Sequence, residues 1–274
     1  MVESSGYYDL NMPVTTPPRR VVSLAPALTL TLFELNLGSR VAAVSERCAA
    51  LVEPARAARL PRVGDPAAPD VGRILALSPD LVMALADETP PDAVRALQAA
   101  GATVWLAAPR TVREAVNLLW DIMYAFNEAA MTPRVRLIDQ TVDYVAGASA
   151  SREPCRVFAP VGVDPWRAFN RDTYAHDLLR VCGGWNVFAD REARDFAVTL
   201  DEVIAAQPEA ALVPDDFGPD AAAALRALDI PAARTGRIYV VDDGLLTWPG
   251  TRLARALSAL PPLLAPPGAG VSQT

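Results

Sequence analysis

Short apolar runs alternate along this chain with stretches whose apolar positions recur at helical spacing. Runs at 20–24 (RVVSL), 41–44, 81–85, 103–106, 156–160, 210–213 and 238–241 are strand-length and bounded by polar or turn residues, which predicts strands. Helical spacing predicts helices over 28–37 (closed by Gly38), 91–100, 112–128, 133–146, 173–182 (closed by Gly183-Gly184) and 253–263. Thr132-Pro133 sets a capping residue before a proline at the first helical position, a restart signal. Strand and helix alternate, so the expected class is α/β, with mostly parallel sheets covered by helices.

The alternation lapses once. No strand signal falls between residues 112 and 146, and GASASREP then has a boundary composition. The predicted organisation is an N-terminal α/β lobe over 14–130, a connecting helix over 131–152 and a C-terminal α/β lobe over 153–265. The tail APPGAGVSQT is expected to fray. Two internal echoes support paired lobes. RILALSPDLVM (73–83) and EVIAAQPEAAL (202–212) share an apolar helix turn, a proline, an acid and a strand. RRVVSLAP near the start and CRVFAPVG near residue 156 repeat likewise. The fold expected is two Rossmann-like lobes joined by one long backbone helix, with a ligand cleft between them.

In open α/β sheets, ligands sit beyond the carboxyl ends of the strands. The loops there supply the candidate binding residues: Pro26, Arg47, Gly64, Asp65, Asp87 and Glu88 in the first lobe, and Trp166, Arg167, Phe169, Asn170, Phe217 and Trp248 in the second. Large aromatics on loops need a packing partner or a ligand. Together with arginines, they suit a large, flat, partly polar molecule.

The segments RRVVSLAPALTLTLFELNLGSRVAAVS, LPRVGDPAAPDVGRILALSPDLVMA, RVCGGWNVFAD and VTLDEVIAAQPEAALV resemble the helical-backbone substrate-binding proteins. These serve transporters for vitamin B12, haem and iron–siderophores, and the B12 binders are the nearest match. The resemblance runs over about residues 18–263. It implies two lobes bridged by one helix, little hinge motion, and a corrinoid held between aromatic and small polar contacts. By position it carries over Pro26 after the first strand, Gly64-Asp65, Trp166 and Phe169, and an acid at Asp242 or Asp243. It also implies one exposed acid per lobe for docking onto a permease of an ABC transporter. Asp201 keeps that acid in the second lobe, whereas Gly72 stands at the first-lobe position with Asp70 nearby, and Leu30 replaces a common Glu.

Charge and composition narrow the chemistry. The net charge of −7 argues against nucleic acid and anionic membranes as partners. All 25 basic residues are arginine, which excludes Schiff-base and P-loop lysines. His176 is the only histidine, so neither a bare-metal site nor a histidine triad is expected. Cys48, Cys155 and Cys182 form no CxxC pair and read as buried thiols. Acid pairs such as Asp87-Glu88, Asp215-Asp216 and Asp242-Asp243 read as solvated turns. No catalytic residue and no covalent cofactor are expected.

The leading expectation is therefore a monomeric, non-enzymatic binder of a corrinoid chelate such as cobalamin. Haem is an alternative that would use Tyr174 or His176, and an anionic ferric siderophore would use Arg47, Arg110 and Arg167. A cytosolic sequestering protein or enzyme on the same scaffold is the alternative of another class. Residues 1–20 lack a basic start, an apolar core and a cleavage site, and no apolar run reaches the roughly 18 residues of a membrane span. As it stands the sequence points to the cytosol, with a periplasmic location as the alternative if a leader has been removed.

Overall fold

A computed structural model describes residues 8–51 and 59–266. The tail expected to fray lies outside them from residue 267 on, as do the first seven residues of the N-terminal segment. Internal contacts divide the chain into two units. The first comprises Met1–Pro109, Arg113–Ile138 and Trp248–Arg252; the second comprises Arg110–Val112, Asp139–Thr247 and Leu253–Thr274.

The first unit is built on a five-stranded sheet in the order β1 (Tyr8–Leu10), β7 (Val104–Ala107), β6 (Leu81–Leu85), β2 (Val21–Ser23), β3 (Val41–Val44). Only the edge strand β1 is antiparallel. Every residue of β6 is buried, as expected for a parallel strand covered on both faces. A small antiparallel ladder, β4 (Gly64–Asp65) with β5 (Ala68–Pro69), leads into the short helix α2 (Val71–Ala76). Helices α1 (Pro26–Glu34), α3 (Pro91–Ala99) and α4 (Val112–Ala125) complete the layers, and Leu24, Ile74, Val82, Leu97 and Val104 fill one core.

The second unit carries a fully parallel sheet in the order β10 (Gly184–Asn186), β8 (Cys155–Phe158), β12 (Ala210–Pro214), β13 (Ile238–Val241). A separate two-stranded antiparallel ladder pairs β9 (Arg167–Phe169) with β11 (Asp195–Ala197). Its helices are α6 (Tyr174–Val181), α7 (Leu200–Ala206), α8 (Pro219–Arg226), α9 (Pro231–Arg234) and α10 (Leu253–Leu264). Phe158, Val203, Val213 and Leu225 anchor its core. Helix α5 (Thr132–Ser149) begins in the first unit and ends in the second. No helix among the described residues is long and apolar enough to cross a membrane.

The two sequence echoes turn out to be one structural device, present in each unit. In the first, α2 ends before Ser78, which adopts a left-handed backbone (φ 46°) ahead of Pro79. Asp80 then accepts the backbone N–H of Arg20 at 2.9 Å, and the Arg20 guanidinium donates to the Leu77 carbonyl at 2.6 Å. In the second, α7 ends before Gln207 (φ 45°) ahead of Pro208. Glu209 accepts the Arg156 N–H at 2.8 Å, and Arg156 donates to the Ala206 carbonyl at 2.7 Å. Each acid thus ties the start of one strand to the helix end before the next, which fixes register between neighbouring parallel strands.

Two expectations change in detail. Helix α1 stops at Glu34, not at Gly38, because Asn36 takes the left-handed turn (φ 61°) and Gly38 opens a 3₁₀ turn, Gly38–Arg40. Segment 248–252 follows the last strand of the second unit yet groups with the first. Its Thr251 N–H donates to Thr31 Oγ1 of α1 at 3.2 Å, and both threonines are buried.

Candidate functional site

At the carboxyl edge of the first sheet, Pro26 opens α1 directly after β2 and is buried. Beneath it lies a buried polar cluster that the sequence reading did not single out. Thr29 Oγ1 donates to Ser23 Oγ at 2.7 Å and lies 3.1 Å from Cys48 Sγ, which sits 3.0 Å from Ser45 Oγ. Burial pushes the Cys48 thiol above its ordinary value, although hydrogen bonds from Ser45 and Thr29 oppose the shift. The sulfur therefore stays a neutral thiol that knits the loop ends together.

Arg47 and Glu88 are brought together at 3.8 Å, the arginine exposed and the carboxylate largely covered. Asp87 lies exposed in the same turn as Glu88. Gly64 has φ 88°, and a Cβ there would meet the Ala68 carbonyl at 2.9 Å and Asp70 N at 3.0 Å. Only glycine fits that tight ladder end. Asp65 closes the same turn by accepting the Ala67 N–H at 2.9 Å. Gly64 and Asp65 thus hold the hairpin's shape.

Trp248 is half-buried in the first unit, with the Arg252 guanidinium 5.7 Å from its ring centroid, a cation–π arrangement. Its neighbour Gly250 has φ 109° and lies against Thr31. The sequence alone offers WPGTR as the signal for this element, with nothing in its position to tie it to α1.

In the second unit, Trp166 lies within a turn closed by the Arg167 N–H donating to the Gly162 carbonyl at 3.0 Å. Its ring is half-buried, 6.1 Å from that of Phe158. Phe217 also packs part of its surface on this core. Arg167 is held by Asp195 at 2.9 Å. Phe169 is only 3% exposed and Asn170 only 5%, so both serve the interior. Asn170 Nδ2 donates to the Arg191 and Glu192 carbonyls, and its Oδ1 accepts the Asp172 N–H. The sequence places these two in a loop, and the β9–β11 ladder sets them inward.

The groups proposed for the alternative ligands are committed within the fold. Arg110 pairs with Asp172 at 3.0 Å, so Arg47, Arg110 and Arg167 each face a carboxylate of their own unit. Tyr174 is buried, and desolvation raises its phenol far above the ordinary value. His176 is 5% exposed and packs edge-on against Trp185 at 5.0 Å. Burial lowers its pKa. Among the described residues, no group of three or more His, Cys, Asp or Glu side chains can hold a metal ion.

The helix caps align Gly72 with Asp201. Asp70 caps α2 by accepting the Arg73 N–H at 2.9 Å, which puts Gly72 at the second helical position. Thr199 caps α7 in a reciprocal box with Glu202, which puts Asp201 at the same position, exposed. Asp242 pairs with Arg255 at 3.2 Å, and Asp243 donates its N–H to Asp215 at 3.0 Å.

Comparison with known proteins places this geometry in a family. A model of the family described as periplasmic binding protein matches residues 21–245. The vitamin B12-binding protein of Vibrio cholerae serotype O1 is 30% identical over 199 residues, covering 70% of this chain and 69% of that protein. The solved periplasmic vitamin B12 binding protein of Vibrio cholerae superposes with a TM-score of 0.76 at 23% identity, covering 90% of this chain and 97% of that one. The periplasmic heme-binding protein from Roseiflexus sp. RS-1, in its apo form, superposes with a TM-score of 0.71 at 26% identity, covering 89% and 97%. With its duplicated parallel sheets and matched helix caps, the chain belongs to the periplasmic binding protein family.

Proposed function

We propose that this protein binds a corrinoid metal chelate of the cobalamin type and presents it to an ABC permease, acting as a carrier and not as a catalyst. The observation that carries the reading is the 30% identity to a vitamin B12-binding protein over 70% of the chain. Site chemistry agrees with it. Haem needs an axial donor, and the only histidine and Tyr174 are both buried in the second unit's packing. An anionic siderophore needs available cations, and Arg47, Arg110 and Arg167 are each held by an acid. A corrinoid brings its metal already chelated and asks for apolar area and a few polar contacts. Trp248, Trp166 and Phe217 are each only half-buried, which supports a role in supplying that apolar area. Relatives from the periplasm favour the extracytoplasmic location over the cytosolic one. Asp201 supplies one docking carboxylate, while Gly72 offers none and Asp70 is engaged in capping α2.

The test is a calorimetric and absorbance titration with cyanocobalamin, haemin and ferrichrome. Saturable one-to-one binding of cyanocobalamin at micromolar Kd or tighter (about −8 kcal/mol or beyond) is expected. Tighter binding of haemin or ferrichrome overturns the corrinoid assignment. No binding of any of the three overturns the carrier function.

A further inference from the structure

We infer that the first unit carries a second ligand site, for a small carboxylate or phosphate anion, at the amino edge of its sheet. This inference is independent of the proposed corrinoid function. A cavity of about 720 Å³ opens there, of a size that suits a small molecule. Its polar groups come from the residues just before four parallel strands: Arg19 ahead of β2, Arg40 ahead of β3, Asp80 ahead of β6 and Thr103 ahead of β7. The strap Pro13–Arg19 forms one wall and Asn127 another. A neighbouring cavity of about 450 Å³ shares part of this lining, including Thr16 and Asn127. Strands run away from this edge toward the loops that hold Pro26, Arg47 and Glu88, so the cavity lies at the opposite end of the sheet from those candidates.

Two observations point to an anion. The Asp80 carboxylate accepts the backbone N–H groups of Arg19 (2.7 Å) and Arg20 (2.9 Å). It thereby holds the Arg19 main chain, while the Arg20 guanidinium turns to the Leu77 carbonyl. No ion pair among the described residues uses the guanidinium of Arg19 or of Arg40. Two forked cations therefore border one concavity in a protein of net charge −7, and a planar carboxylate or a phosphate matches such forks. The duplication shows that the scaffold does not need them. Arg20 and Asp80 have counterparts in Arg156 and Glu209. At the register positions of Arg19 and Arg40, however, the second unit has Cys155 and Trp185. The same strand-pairing device thus forms without either cation.

The experiment titrates the intact protein with inorganic phosphate, succinate and citrate at low salt by calorimetry. Saturable one-to-one binding of at least one of them is expected. Arg19→Gln and Arg40→Gln should each weaken it at least tenfold, and the double variant should abolish it. Arg226→Gln, exposed in the second unit, should bind as the parent does. Should Arg40→Gln fail to fold, Arg19→Gln alone decides, since that side chain is exposed and its backbone bond to Asp80 persists. Cyanocobalamin titrations of the variants should match the parent, which separates this site from the carboxyl-edge loops. Absence of saturable binding by all three anions overturns the inference, as does binding that survives the double substitution. A parallel loss of cyanocobalamin affinity overturns the claim of a second, distinct site.

Discussion

Replacing Gly250 by alanine tests how the 248–252 segment is held in the first unit. Gly250 sits at φ 109°, where an L-residue is strained, a cost of about 1–3 kcal/mol. An added Cβ would also fall deep inside contact distance of Thr31 Oγ1, with Thr31 Cβ only 3.5 Å away. Thr31 cannot simply turn aside. Its hydroxyl donates to the Ala27 carbonyl at 2.8 Å and accepts the Thr251 N–H at 3.2 Å, and both threonines are buried. Overpacking of this kind costs about 1–3 kcal/mol more, so G250A should lose about 2–6 kcal/mol in all. Urea unfolding followed by circular dichroism and tryptophan fluorescence reads the loss as a lowered midpoint at unchanged slope. A second variant separates the causes. T31A leaves the buried Thr251 N–H without its acceptor, a cost of about 1–3 kcal/mol, but removes the clashing atom. The double variant should therefore be more stable than the sum of the singles predicts, by about the overpacking share of 1–3 kcal/mol. A G250A protein within about 0.5 kcal/mol of the parent would refute the docking of this segment on α1. Strict additivity would refute the clash as its source.

Three further outcomes follow from the same structure. W248A should weaken cyanocobalamin binding at least tenfold in calorimetry, about 1.4 kcal/mol, with little change in stability; W166A should weaken binding too and in addition lower the unfolding free energy by about 2 kcal/mol, because its ring packs on Phe158. S78G should stabilise by about 0.5–1 kcal/mol, since a glycine relieves the left-handed backbone there, whereas Q207G should not, because the Gln207 side chain donates to the Ile204 and Asp229 carbonyls. Glu202 is held below its ordinary 4.5 by the Thr199 N–H and then by Arg191. Its folded-state pKa is depressed, so its contribution is full above pH 4.5 and fades as pH falls through the lower folded value. The stability gap between parent and E202Q, read from urea melts, should therefore close on acidification; a gap that widens would reverse the assignment.

Much of the fold was legible because its parallel strands are buried on both faces and read as plain apolar runs. β6 occupies the predicted 81–85 and β12 begins at the predicted 210, both with nearly every residue buried, and the edge strand β13 matches 238–241 although Val240 is exposed. The elements that escaped notice lack that signature. β10 reads Gly-Trp-Asn, and its Gly184 is there because a Cβ would press on Leu264 and Val157 at 3.0 and 3.1 Å. The β9–β11 ladder is a side ribbon, and polar Asn170 at its end reads as a loop residue although its side chain is consumed by the Arg191 and Glu192 carbonyls. Trp248 was visible as a loop aromatic, but its unit was not, since Thr31 and Thr251 are 220 residues apart. Sequence order cannot announce a contact at that separation. The Ser23–Thr29–Ser45–Cys48 cluster was missed for a related reason, being assembled from three loop ends by tertiary packing.

The duplicated device separates what the scaffold requires from what it leaves free. Both units tie a strand start to a helix end through an acid after proline, Asp80 in one and Glu209 in the other, each meeting an arginine. Residues common to both copies are therefore explained by register and packing. Differences at equivalent positions have no such explanation, and that is where function should be sought. Three such differences stand out. Asp201 occupies the helix position that Gly72 holds in the first unit, Arg19 stands where the second unit has Cys155, and Arg40 where it has Trp185. The first difference bears on how a permease would tell one unit from the other, because at the second helical position only Asp201 offers a carboxylate, while the exposed Asp70 at the other helix start is engaged in its cap. An asymmetric docking partner would then need its cation on one side only, so G72D should leave cyanocobalamin affinity unchanged while altering permease-stimulated transport. Equal transport by G72D and parent, with D201N also silent, would remove the helix starts from docking altogether.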